Sequence, residues 1–174
     1  AVSFTETAKY FKEKNVAVTG TPVRQQIIGG NLKEAIEYFK LEEGLPTILI
    51  LGSSQGAERI NETILAMLTD AVAKYQIIHQ TGKNNLADVS GRAGVLLEKS
   101  PFKSRYHPYG FLGEGELRNA SCAAVLAVSR ASSMIFEIAA WGLPSILIPL
   151  PKAAQDHQRG NAYAYARFGA AAVI

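Results

Sequence analysis

The sequence has 174 residues, a formal net charge of +3, 48% hydrophobic residues and 19% charged ones. That length suits one ordinary domain or a domain with a small appendage, and the apolar content supplies a real core, which fits a buried parallel sheet better than a disordered or fibrous chain. The mild positive charge tolerates anionic ligands but does not describe a nucleic-acid binder, which concentrates far more Lys and Arg on one face.

In chain order, Val16–Val18 is a strand candidate ending at Gly20, and the turn Thr21-Pro22-Val23-Arg24 comes next. Residues 1 to about 20 read as the tail of a preceding domain, and 21–174 as a second lobe. Asn31–Leu41 is predicted as a helix with Leu32, Ala35, Ile36 and Phe39 on one face, and Gly44, Leu45 and Pro46 turn into the first strong strand, Thr47–Leu51. A helix over Ala57–Ala73 carries Ile60, Ile64, Met67 and Leu68 at helical spacing. Gln76–Gln80 and Gly94–Leu97 are strand candidates. Ala123–Val128 is almost wholly apolar, as a strand covered on both faces would be. Cys122, the lone cysteine, precedes it and reads as a small core residue; no internal disulfide is possible. Ser133–Trp141 is a helix stopped by Gly142 and Pro144, Ser145–Pro149 a strand, Gln158–Phe168 a helix closed by Gly169, and Ala171–Ile174 a last strand. Strands alternating with helices of ten or so residues predict an α/β fold with a doubly wound parallel sheet. No apolar stretch approaches the ~20 residues of a membrane span. The chain starts at Ala1 and stops at Ile174 within a predicted strand, so it reads as a piece of a longer protein.

Three segments carry chemistry. Gly52-Ser53-Ser54-Gln55-Gly56-Ala57 lies between a strand and a helix, where unpaired backbone amides and the helix dipole attract anions. Its glycines permit close approach of a phosphate and Ser54 can donate a hydroxyl, although the same turn could simply cap the helix. It is neither G-x-G-x-x-G nor the P-loop pattern, which weighs against a dinucleotide-dependent dehydrogenase. Ser129 to Glu137 repeats the arrangement: small residues at 131 to 133 open a helix near a diphosphate, and Glu137 stands one turn on, where a carboxylate can accept from two ribose hydroxyls. Taken alone, Glu137 reads equally as a surface acid near a helix N-terminus, and Arg130 as a solvated ion-pair member. The third segment clusters His157, Gln158 and Asn161 at a helix start after the Ser145–Pro149 strand, suited either to sugar hydroxyls or, with Asp156, to capping. His79, His107 and His157 are far apart in sequence and suggest no metal site.

In this order the segments resemble the C-terminal lobe of the MurG-type glycosyltransferases. The resemblance runs through Thr19 to Arg24, Gly52 to Ala57, His79-Gln80-Thr81-Gly82-Lys83, Phe111-Leu112, Ser129 to Gly142, Pro144 to Pro151, Asp156 to Ala162 and Gly169 to Ala171. It implies a Rossmann-like lobe of a two-lobed (GT-B) enzyme that moves N-acetylglucosamine from UDP-N-acetylglucosamine to undecaprenyl-diphospho-N-acetylmuramoyl-pentapeptide in peptidoglycan synthesis. By resemblance, Arg24 and Ser54, with Gln55 and Gly56 beside it, would bind the diphosphate. Leu112 would pair with uracil through its backbone beside Phe111, and Glu137 would take the ribose. The Ser133 and Met134 amides would approach phosphate, Arg130 matches a family arginine, and His157, Gln158 and Asn161 would read the sugar. Thr21, Ser53, Ser132 and Met134 depart from the usual Asn, Gly, Gly and Thr, so position 134 offers phosphate no hydroxyl. The resemblance further implies no cofactor or metal, and places the catalytic base, the acceptor site and the membrane contact in an N-terminal lobe outside this chain. The enzyme would then sit peripherally on the cytoplasmic face of the bacterial plasma membrane. Another two-lobed UDP-sugar transferase (glycolipid or dolichol-linked) or a non-catalytic nucleotide-binding module paired with a partner chain are the alternatives.

Overall fold

A computed structural model describes residues 1–11, 16–52, 57–150 and 157–174. In chain order they form α1 (Thr5–Ala8), α2 (Leu32–Phe39), β1 (Thr47–Leu51), α3 (Ala57–Val72), β2 (Gln76–Gln80), α4 (Leu86–Leu96), β3 (Tyr106–Tyr109), α5 (Glu114–Ala123), β4 (Ala124–Ser129), α6 (Met134–Trp141), β5 (Ser145–Leu147), α7 (His157–Ala166) and β6 (Ala171–Val173).

The strands make one parallel sheet in the order β3-β2-β1-β4-β5-β6. The chain starts in the middle at β1, steps outward to β2 and β3, then returns past β1 to β4 and continues to β5 and β6. The reversal falls between β1 and β4, whose last residues are in register, Leu51 beside Ser129. A reversal of this kind parts the loops on either side and opens a crevice at the carboxyl ends of the strands.

Alternation along the strands explains the two faces. Ile50, Ile77 and Val128 pack with Ile60, Ile64 and Leu68 of α3 and with Val89 and Ala93 of α4. Leu49, Leu51, Ile78 and Ala127 point the other way, onto Ala35 and Phe39 of α2, Leu117 and Ala120 of α5, and Ile138 of α6. Leu147 meets Ile135 of α6 and Ala162 and Tyr165 of α7. The split follows from right-handed crossovers: connections running toward β3 put their helices on one face, and connections running toward β6 put theirs on the other. The α3 face beyond β1 therefore carries an apolar groove of about 430 Å³, bordered by Met67, Val128, Ile146, Ile148 and Ile174.

The N-terminal residues pack on this unit. Val2 bridges to Val18, and Phe4 is buried beside Ala131, Ile135 and Ala162, with Phe136 packed against it. Val18 makes a lone bridge, so the strand expected over Val16–Val18 does not form.

Several other expectations change. Gly94–Leu97 is not a strand: it closes α4, whose buried stripe is Val89, Ala93 and Leu97, while Val95 and Leu96 face outward, 76% and 47% exposed. The apolar run is a helix end with two apolar residues on the wet side. Cys122 is exposed, because α5 extends through Ala123 and turns it away from the core. β4 begins at Ala124 and is not covered throughout, since Val125 is 52% exposed. β5 ends at Leu147, and α7 spans His157–Ala166 with Gly169 just beyond. β3 and α5 were not anticipated at all.

Candidate functional site

The loops after β1 and β4 open at the same edge of neighbouring strands. Ser53, Ser54, Gln55 and Gly56, the centre of the first junction, lie outside the described residues, as do Pro151–Asp156. Their surroundings are described.

Arg24 is held in place by the segment after it. Ile27 is fully buried, and the Trp141 indole N–H donates to its carbonyl at 2.9 Å, fixing this segment against α6. The Arg24 guanidinium thus reaches Glu137 in the first turn of α6 with a two-point contact, Nε–Oε1 3.0 Å and Nη2–Oε2 3.1 Å. Its Nη1 lies 3.5 Å from Glu114 at the start of α5. Hydrogen bonding to Glu137, more than the Coulomb attraction of the two carboxylates, raises the Arg24 pKa above its usual value, so it stays a cation at any working pH. The sequence separates Arg24 and Glu137 by more than half the chain; the fold makes them partners.

Beside them stands the loop before α5. Glu116 accepts from the Gly113 amide and from the Tyr38 hydroxyl, which ties the helix start to α2. Leu112 is buried and Phe111 is 59% exposed, with the Lys83 ammonium 5.4 Å from its ring centre. The Leu112 amide donates to Gln80 Oε1 at 3.0 Å, so in this arrangement pairing of a base with the Leu112 backbone falls to the carbonyl.

The α6 start bears Ser133 as its N-terminal flanking residue, without a side-chain cap. Among the described residues, neither the Ser133 nor the Met134 amide donates to a backbone carbonyl, and such open donors at a helix N-terminus suit an anion. Arg130 is buried, its pKa lowered by that burial, and its Nε donates to Gln158 Oε1 at 3.3 Å. Gln158, only 4% exposed, also accepts from the Leu150 amide at 3.1 Å. Asn161 Nδ2 donates to the Ala131 carbonyl at 3.3 Å. These two carboxamides therefore hold the β4–α6 junction to α7. His157 is exposed and, with Asn161 and Tyr10, lines a cleft of about 610 Å³ between α1 and α7.

The structure thus gathers Arg24, Glu137 and the start of α5 at one edge, and puts Arg130, Gln158 and Asn161 on the neighbouring junction. Sequence reasoning missed Glu114 and Gln80. Gln80 stands inside the His79–Lys83 motif, yet only the sheet order shows what its side chain spans. Among the described residues no cluster of His, Cys, Asp and Glu is arranged for a metal, and no helix is long and apolar enough to cross a membrane.

Residues 47–174 match the family model of the glycosyltransferase family 28 C-terminal domain. The whole chain is 38% identical to a protein of Thermodesulfovibrio yellowstonii named UDP-N-acetylglucosamine–N-acetylmuramyl-(pentapeptide) pyrophosphoryl-undecaprenol N-acetylglucosamine transferase, and covers 46% of it. A Bacillus thuringiensis protein of the same name, numbered 3, is 36% identical over 99% of the chain, which covers 47% of that relative. The chain therefore spans about half the length of the curated relatives it matches. Among solved structures, Acinetobacter baumannii MurG superposes with a TM-score of 0.63 at 23% identity, covering 93% of this chain and 44% of that one. The ADP-heptose heptosyltransferase II of E. coli superposes with a TM-score of 0.54 at 13% identity, over 96% of this chain and 48% of that one. Both likenesses speak to the fold.

Proposed function

The chain belongs to glycosyltransferase family 28, and on that footing we propose that it is the nucleotide-sugar-binding lobe of an inverting N-acetylglucosaminyltransferase that uses UDP-N-acetylglucosamine. Residues 1–20 are then the tail of the acceptor-binding lobe and 21–174 the donor lobe. The acceptor is the undecaprenyl-diphospho-muramoyl-pentapeptide of cell-wall synthesis, met at the cytoplasmic face of the plasma membrane through the other lobe. The relatives' names support this choice of donor and acceptor.

The observation that carries the reading is the shared edge of the β1 and β4 junctions with the Arg24–Glu137 pair beside it. A nucleoside diphosphate laid along that edge meets the base at the Phe111–Leu112 loop, a ribose at Glu137, and the diphosphate at Arg24, Ser54 and the first amides of α6. His157 and Asn161 take the sugar, with Gln158 and Arg130 shaping that end. The acceptor hydroxyl attacks the anomeric carbon, that carbon's bond to the diphosphate oxygen breaks, and UDP leaves. Arg24 and the α6 dipole stabilise the departing negative charge, so the reading calls on no metal; the proton passes to a base supplied by the other lobe.

Titration of this chain with UDP, UDP-N-acetylglucosamine, UDP-galactose and NAD tests the assignment, together with a coupled assay for UDP release. The expected outcome is weak binding of UDP and of UDP-N-acetylglucosamine in preference to UDP-galactose, no binding of NAD, and no turnover. Failure to bind UDP removes the assignment, and NAD binding redirects it to a dehydrogenase.

A further inference from the structure

Gln80, at the carboxyl end of β2, makes two side-chain bonds in opposite directions. Its Nε2 donates to the Gly52 carbonyl at 2.9 Å and its Oε1 accepts from the Leu112 amide at 3.0 Å. Gly52 is the first residue of the turn after β1, and Leu112 belongs to the loop before α5. Backbone bonds between the strands flank the bridge: the Gly52 amide donates to the Gln80 carbonyl at 2.9 Å, and the Thr81 amide to the Tyr109 carbonyl at 2.8 Å. One planar carboxamide thus ties the carboxyl end of β1 to a loop assigned to a base. A carboxamide suits the task because it offers a donor and an acceptor at the end of the same short side chain.

We propose that Gln80 is a positioning residue that couples the Phe111–Leu112 loop to Gly52 at the carboxyl end of β1, so that the base-binding loop is held in register with the sheet edge. The inference rests on the nucleotide assignment above. Gln80 touches neither part of the ligand: it acts through Gly52 and Leu112. A loop held in its binding arrangement before the ligand arrives spares the ligand the cost of ordering it, which is how preorganisation strengthens a weak contact. By engaging the Leu112 amide, Gln80 also leaves the carbonyl as the group offered to a base, which favours a pyrimidine with an N3–H over one whose N3 is an acceptor.

The test is a near-isosteric variant, Gln80→Met, that retains bulk and loses both bonds. UDP, CDP and inorganic pyrophosphate are titrated against wild type and variant by calorimetry, with thermal melting alongside. The expected result is an affinity for UDP lowered about tenfold, a UDP-to-CDP preference shrinking toward unity, and a pyrophosphate affinity within about twofold of wild type. Equal losses for all three ligands mark Gln80 as merely structural and overturn the proposal, as does an unchanged UDP-to-CDP ratio. If Q80M does not fold, amide hydrogen exchange on the wild-type chain decides. Protection of the Leu112 amide without nucleotide is expected, and exchange at the rate of an open loop refutes the bridge. A wild type that binds pyrophosphate but does not prefer UDP to CDP overturns this inference alone, whereas one that binds no UDP takes the nucleotide assignment with it.

Discussion

Arg24 and Glu137 make the best-formed exposed ion pair near the proposed site, and its worth differs between stability and binding. As a stabilising contact it is small, because solvent screens the pair: Arg24 keeps 43% of its side chain exposed, and such pairs contribute ~1 kcal/mol or less. In the proposed ligand site it would count for more, since a guanidinium on a phosphate gives charge-assisted bonds of about 1.5–3 kcal/mol. Arg24→Ala should therefore leave the melting temperature nearly unchanged while weakening UDP binding about tenfold or more, and binding of uridine much less. A large drop in melting temperature with UDP binding intact would show the pair to be structural. His79 poses the opposite case. It is fully buried, its Nδ1 lies 2.8 Å from the Tyr106 hydroxyl, and desolvation lowers its pKa from 6.5 to about 4. Below pH 6.5 the unfolded chain takes up a proton that the folded one refuses. His79 thus contributes stability that is complete above 6.5 and declines as pH falls to about 4, by roughly 3 kcal/mol in all. His79→Gln should flatten the melting temperature over that window relative to wild type. If the two curves stay parallel between pH 4 and 6.5, the buried imidazole is not the cause.

At the level of elements, the segment that enters α2 runs so close to α5 that one of its positions admits no side chain. A Cβ at Gly30 would stand 2.2 Å from the Arg118 carbonyl oxygen and 2.7 Å from Cys122 Cβ. The first of these is backbone, which cannot swing aside. Gly30→Ala should destabilise the fold by about 1–3 kcal/mol in urea denaturation and push α2 away from α5. A neutral result would mean that the two helices can separate freely. The Gly30–Asn31 start of α2 was readable in part, since Asn31 accepts from the Lys33 and Glu34 amides as an N-cap should. The approach to α5 was not, because α5 has no apolar periodicity strong enough to reveal it. β3 escaped for a related reason: Tyr-His-Pro-Tyr has a proline where a strand needs a donor, a pattern tolerated because β3 is an edge strand. At α4, two outward apolar residues imitate a strand, and only the partner α3 shows which side is buried.

For the molecule as a whole, the reversal between β1 and β4 governs everything else. It divides the helices between two faces, brings two helix-opening turns to one edge, and leaves an apolar groove beside α3. On the reading proposed above the base belongs to the other lobe, so binding without turnover is the outcome expected of the titration and UDP-release assay. The sequence by itself determined the fold class, the strands β1, β2, β4, β5 and β6, and the motifs of the resemblance, since apolar runs, helical spacing and Gly or Pro breaks are local properties. Only the tertiary structure decided that Arg24 meets Glu137, that Gln158 and Asn161 are turned onto the β4–α6 junction, and that Gln80 joins Gly52 to Leu112. Those contacts link residues far apart along the chain, and which of them meet depends on strand order and register.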